Sequence, residues 1–190
     1  LDVPIQHVAD RVLELMRRPE RRKTIRERVG WLREAIPDLT LRTTVIVGFP
    51  GETDDDFREM LDLLEELRFE RVGAFTYSVE EGTRAAEMPG RVDDDVMGER
   101  IEEVMEVQRA ISAERNAEML GRPVEVLVDH GLEDDPDFAA VGRTVGQAID
   151  VDGVTHLRAG PGAGPIAPGD LVRATIVEAL DYDLVGEIGG

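Results

Sequence analysis

Between a β-branched-rich run, Leu41 to Val47, and an amphipathic pattern beginning near Asp54 lies Gly48-Phe49-Pro50-Gly51-Glu52-Thr53. Phe57, Met60, Leu61, Leu64 and Leu67 then repeat at spacings of three and four, the period of a helix with one apolar face. A strand, a tight loop and a helix in that order point to a parallel α/β arrangement. The glycines and proline let backbone approach a ligand closely, and the Thr53 hydroxyl is placed to cap the helix. Loops at the carboxyl ends of parallel strands are where such folds bind ligands. The turn by itself is equally compatible with an ordinary strand-to-helix connection.

The flanking pattern extends this reading. Leu1-Asp2-Val3-Pro4-Ile5 is a short apolar segment that predicts the end of a strand, with Leu1 starting directly in it and no signal peptide ahead. Val8, Val12, Leu13, Leu15 and Met16 fit a helix interrupted by Pro19, and Ile25, Val29, Leu32 and Ile36 continue helical spacing toward Pro37. A strand is predicted over residues 40–47, another over 71–78, and a long helix from about Asp94 to Leu120, ending at Gly121.

Beyond Gly121 the pattern changes to short strands at 123–128, 140–145, 154–158, 171–178 and 184–188, which predict a small antiparallel barrel. The run from Ala159 to Pro165, rich in glycine and proline, has similar strands on both sides and therefore reads as a barrel loop. The domain boundary is expected at residues 121 to 123.

Charge and cysteine usage narrow the chemistry. The formal charge is −19, and the segment 122–190 holds thirteen acidic residues against four arginines and no lysine, a net −9. Affinity for nucleic acid comes mostly from cations that neutralise phosphates, so this balance disfavours direct nucleic-acid binding and suits a basic protein partner. Acidity that serves only solubility is the alternative. The absence of cysteine excludes disulfides, thiolate nucleophiles and cysteine-ligated zinc or iron–sulfur sites within these residues, and His7, His130 and His156 are too scattered to suggest a metal site. No apolar run approaches a membrane span, and the chain reads as cytoplasmic.

Several residues remain as candidates. Asp54-Asp55-Asp56 suits the positive end of a helix dipole better than a cation site. Arg42 sits in a half-buried strand and needs a carboxylate, either a ligand's or a structural partner's. Gln6 and His7 follow the first apolar segment, with His7 reading as a structural histidine, and Tyr77 and Ser78 end the second complete strand. An adenine-sized ring fits the chemistry of Phe49, Tyr77 and nearby backbone.

Taken in order, Leu1 to His7, Leu39 to Thr53 and Phe75-Thr76-Tyr77-Ser78 resemble the radical S-adenosylmethionine methylthiotransferases. Within them the chain looks most like the RimO family, which modifies an aspartate of ribosomal protein S-twelve. The marks are Pro4-Ile5-Gln6-His7, where tRNA-modifying relatives usually have serine and glycine after the glutamine, and Ile111-Ser112-Ala113-Glu114-Arg115. Gly142-Arg143-Thr144, Ile149 to Gly153, Pro168-Gly169-Asp170 and Asp181-Tyr182-Asp183-Leu184 look like that family's TRAM domain.

The resemblance implies the last three strand–helix units of a partial TIM-type α/β barrel over residues 1–121, then a small antiparallel, OB-like TRAM barrel over 122–190. It implies a reaction in which one iron–sulfur cluster cleaves S-adenosylmethionine and the resulting radical takes hydrogen from an aspartate β-carbon. A second cluster then helps to install a methylthio group. Gln6, Arg42, Gly48, Phe49, Pro50, Gly51 and Tyr77 would face the S-adenosylmethionine. Both 4Fe-4S clusters would be ligated outside this chain, which by resemblance holds no catalytic residue or metal ligand and is inactive alone. The acidic TRAM domain would meet the basic ribosomal protein directly. A fragment of a tRNA methylthiotransferase and a noncatalytic protein-binding module are the competing readings.

Overall fold

Alternate residues of β1 (Arg42–Val47) are buried, with Thr43, Val45 and Val47 inward and Arg42, Thr44 and Ile46 on the half-buried opposite face. β2 (Arg71–Thr76) pairs with it in parallel from Arg42↔Arg71 to Val47↔Thr76. A parallel pair needs a long crossover, and α3 (Asp54–Leu67) supplies it. This helix buries Phe57, Met60, Leu63, Leu64 and Leu67 in a core shared with Val45, Val47, Phe69 and Val72. Each such side chain contributes about 1.5–3 kcal/mol relative to exposure. The computed structural model describes residues 1–132 and 135–189; Glu133 and Asp134, two of the thirteen acidic residues of the second half, lie outside the described residues, as does Gly190.

Two short helices, α1 (Asp10–Leu15) and α2 (Arg22–Ala35), precede β1, and α4 (Asp94–Ala117) follows β2. Met97, Arg100, Val104, Gln108 and Ile111 form the buried stripe of α4 at spacings of three and four. Two of these five are polar. Gln108 Nε2 donates to the carbonyls of Phe69 and Glu70 at 3.2 and 3.3 Å, which satisfies backbone at the entry to β2.

The strand expected over the first five residues is only partly formed. Leu1–Gln6 lies parallel to β1 but touches its ladder at two isolated bridges, Asp2↔Arg42 and Gln6↔Val45. Four residue steps on one side thus oppose three on the other. The Thr43 hydroxyl absorbs the mismatch, accepting from the Ile5 amide at 3.2 Å and donating to the Val3 carbonyl at 2.8 Å, beside a proline with no amide hydrogen to offer.

The chain divides into two units, Leu1–Ile111 and Ser112–Gly190. Within the second, Asn116 near the end of α4 donates to the carbonyl of Leu180 at 2.9 Å. Five strands follow: β3 (Pro123–Gly131), β4 (Ala140–Arg143), β5 (Thr155–Ala159), β6 (Leu171–Ala179) and β7 (Leu184–Ile188). They close into a barrel in the order β3-β4-β5-β7-β6 around Val126, Val128, Ala140, Leu157, Ala174 and Ile188. The barrel is not wholly antiparallel as the strand pattern predicts, because β5 and β7 pair in parallel. An odd number of strands in a closed ring cannot alternate throughout, so one parallel pair is obligatory. The glycine-proline run closes β5 with Ala159 and opens the β5–β6 connection, where Ala163 packs onto the barrel core.

Candidate functional site

Chemistry-bearing residues of the first unit gather at the carboxyl ends of β1 and β2. The turn after β1 begins at Gly48 with φ +78°, a left-handed backbone, and a Cβ there would collide with the Met97 side chain. Gly51 has φ +88°, and its amide donates to the Gly90 carbonyl at 2.7 Å. Its carbonyl accepts from Arg11 at 2.6 Å.

A buried carboxylate organises this turn. Glu52 Oε2 accepts from the amides of Gly48 at 2.9 Å and Phe49 at 3.3 Å, and Oε1 accepts from Arg100 Nη1 at 2.7 Å. Arg100 is itself buried, donates through Nη2 to Asp54 at 2.6 Å, and lies 5.3 Å from the centre of the Phe57 ring. A buried charge costs several kcal/mol unless paired and hydrogen-bonded. Here both requirements are met from two elements, α4 and the turn.

Below the turn, Thr53 caps α3. Its hydroxyl accepts from the Asp56 amide at 3.3 Å, and the Asp56 carboxylate accepts from the Thr53 amide at 2.8 Å, a reciprocal capping box. Burial alone raises the Asp56 carboxyl, but the Arg11 guanidinium and the Thr53 donors outweigh it and hold the group below its ordinary value. The acidic run is therefore occupied with helix capping and ion pairing.

Beside the turn opens a cleft of about 530 Å³ whose walls include Gln6, Thr44, Ile46, Phe49, Phe75 and Tyr77. Phe49 and Tyr77 meet edge to face, with ring centres 5.4 Å apart and planes at 71°. A second cleft of about 500 Å³ shares Thr76, Tyr77 and Ser78 and reaches Gly48, Arg91 and Asp94. The buried hydroxyl of Tyr77 has no hydrogen-bond partner among the described residues. Cleft volume, apolar walls and a few inward polar groups match a site for a nucleoside-sized ligand.

Of the residues singled out in the sequence, Gln6, Phe49 and Tyr77 line the first cleft and Gly48 the second. Pro50 and Gly51 shape the turn and line neither. Arg42 lies apart from these residues. It opens β1, and five residue steps separate it from Val47, about 17 Å along a strand, so its backbone lies at the end opposite the rim. It shares the face of Thr44 and Ile46, below the cleft. Gln6 carries φ +65°, an uncommon backbone for a residue with a side chain.

Sequence reasoning missed Glu52 and Arg100 as builders of the site. Glu52 reads as a polar turn residue, and Arg100 lies 48 residues away on a helix whose pattern gives no sign that an arginine faces inward. Among the described residues no group of three or more His, Cys, Asp or Glu is placed to hold a metal, and the chain has no cysteine.

Comparison with known proteins matches residues 1–64 to the radical SAM superfamily and residues 120–188 to the TRAM domain. The chain is 45% identical over 99% of its length to the ribosomal protein uS12 methylthiotransferase RimO of Geobacter sulfurreducens, covering 41% of that protein. It is 44% identical over 99% of its length to the protein of that name from Deinococcus radiodurans, covering 38% of it. The protein of that name from Clostridioides difficile is 39% identical over 98% of the chain, with 41% of its own length covered. The chain thus spans about two fifths of the length of these relatives.

Proposed function

We infer that this chain belongs to the RimO methylthiotransferase family and forms part of an enzyme that adds a methylthio group to the β-carbon of an aspartate in ribosomal protein uS12. The observation that carries this reading is the joint match to radical SAM and TRAM sequence along one chain, with relatives of that name similar over 98–99% of it. The tRNA-modifying and noncatalytic readings are not favoured by these relatives.

Residues 1–121 are read as three parallel strand–helix units of a partial TIM-type barrel and residues 122–190 as the TRAM domain. Three extended segments in parallel, Leu1–Gln6, β1 and β2, support the first assignment, and the TRAM match from residue 120 supports the second. When bound, S-adenosylmethionine would supply the radical and, with iron–sulfur clusters, the methylthio chemistry. Both 4Fe-4S clusters would be ligated outside this chain, a reading that its lack of cysteine supports.

The chain's own residues would bind and orient the nucleoside. Phe49 and Tyr77 offer apolar faces to the ring, the Tyr77 hydroxyl can donate to it, and Gln6 and Thr44 present polar groups from adjacent segments. Gly48, Pro50 and Gly51 hold the turn that carries Phe49. Arg42 would act from beneath this cleft, on the face of β1 that carries Thr44 and Ile46.

The partner is read as the basic ribosomal protein itself, met by an acidic TRAM domain without direct nucleic-acid binding, in the cytoplasm. Opposite charge raises the encounter rate and makes it depend on salt. The test is titration of the full chain with uS12 and with tRNA across a salt series. Salt-sensitive binding to uS12 alone is expected, and binding to tRNA alone overturns the partner assignment.

A further inference from the structure

His7 is a buried titratable residue that the proposed chemistry does not use, and it follows Gln6, which lines the cleft, in the chain. Its ring is fully buried. Nδ1 accepts from the Ala9 amide at 3.1 Å, so in this arrangement the ring proton resides on Nε2. Nε2 lies 3.4 Å from Glu52 Oε2, the oxygen that receives the Gly48 and Phe49 amides. That distance is long for an N–H···O bond, and among the described residues Nε2 has no hydrogen-bond partner, so the carboxylate is a close neighbour of the ring nitrogen and not a formed acceptor. The residue before it, Gln6, is held in the left-handed region at φ +65°. One ring therefore joins the peptide that presents Gln6 to the turn that presents Phe49, and both side chains line the same cleft.

We propose that His7 is a positioning residue that fixes the spacing of Gln6 and Phe49 across the cleft through Glu52. The inference deepens the reading of the cleft as an S-adenosylmethionine site and rests on it for the ligand measurement only. A ring dipole beside a carboxylate acts through geometry and not through contact with ligand.

The experiment compares the full chain with His7→Leu and His7→Gln, the latter keeping an N–H donor near the Nε2 position. Three quantities are read: the ring tautomer of His7 by nitrogen NMR in the unsubstituted chain, amide hydrogen exchange at Gly48 and Phe49, and affinity for S-adenosylhomocysteine. Expected are the Nε2-protonated tautomer and exchange at Gly48 and Phe49 faster by roughly tenfold in His7→Leu than at β1 interior amides, the scale of one weakened hydrogen bond. His7→Gln restores most of the protection, and affinity follows the same order. An Nδ1-protonated ring, unchanged exchange at the two amides, or uniform acceleration across the unit overturns the proposal. If His7→Leu does not fold, the tautomer and His7→Gln decide it. If the unsubstituted chain takes no S-adenosylhomocysteine while the exchange pattern holds, the ligand reading fails and the positioning role of His7 stands.

Discussion

Arg100 donates to Glu52 across 2.7 Å with both side chains out of solvent, and this contact ties the turn after β1 to a helix 48 residues further along. The carboxylate also holds the turn's first two amides, so the shape of the turn depends on a tertiary charge pair as well as on its glycines.

Arg100→Leu leaves Glu52 buried with its amide donors but no cation, and Asp54 without its guanidinium. Breaking a buried pair from one side costs about 3–5 kcal/mol, and a loss toward the lower end is expected because the two amides remain. Urea unfolding followed by far-ultraviolet circular dichroism measures it. Adding Glu52→Gln to Arg100→Leu should cost less than the sum of the single changes, since the two residues act as one unit.

Gly48→Ala introduces both a left-handed backbone on an L-residue, costing about 1–2 kcal/mol, and a collision with Met97. Adding Met97→Ala should recover the steric part and leave the backbone part. Equal destabilisation of the single and double variants in thermal melts would show that Met97 is not the obstacle.

Asp56 gives the α/β unit a defined response to acid. Its folded-state value is depressed below the ordinary 3.8, so its stabilising contribution is present above that value and is lost as pH falls through the lower folded value. Asp56→Asn should therefore be less stable than the unsubstituted chain near neutrality, and the difference should shrink below about pH 4. Urea midpoints measured at intervals from pH 7 downward test the sign.

Tyr77→Phe removes a buried hydroxyl that has no hydrogen-bond partner among the described residues and keeps the ring against Phe49. Folding stability should be unchanged or slightly higher, while affinity for S-adenosylhomocysteine falls by about tenfold, the value of one hydrogen bond. Calorimetric titration and a melt on the same samples separate the two effects.

Local signals were legible in the chain and long-range ones were not. The β-branched run, the glycine-proline turn and the period of α3 located β1, the turn and the Thr53 cap, because each depends on neighbours within a few residues. Residues 184–188 were found with their full bounds for the same reason. Arg42 opens β1 while the turn follows its other end, a separation that local composition does not display. The parallel β5–β7 pair follows from ring closure over five strands, a property of the barrel and not of any one segment. Glu52 and Arg100 escaped because a buried ion pair leaves no periodic trace: each residue alone looks like surface.

The central claim is that this chain serves a uS12 methylthiotransferase. Joining it to the remaining part of the Geobacter sulfurreducens relative, in place of that protein's own matching two fifths, allows a direct measurement. The reconstituted chimera would be incubated with S-adenosylmethionine, a sulfur source and a reductant, together with uS12 or with tRNA, and the products read by mass spectrometry. A methylthio increment on a uS12 aspartate and none on tRNA is the expected result. Modification of tRNA with none on uS12, from a chimera whose clusters are shown to be intact, would contradict it.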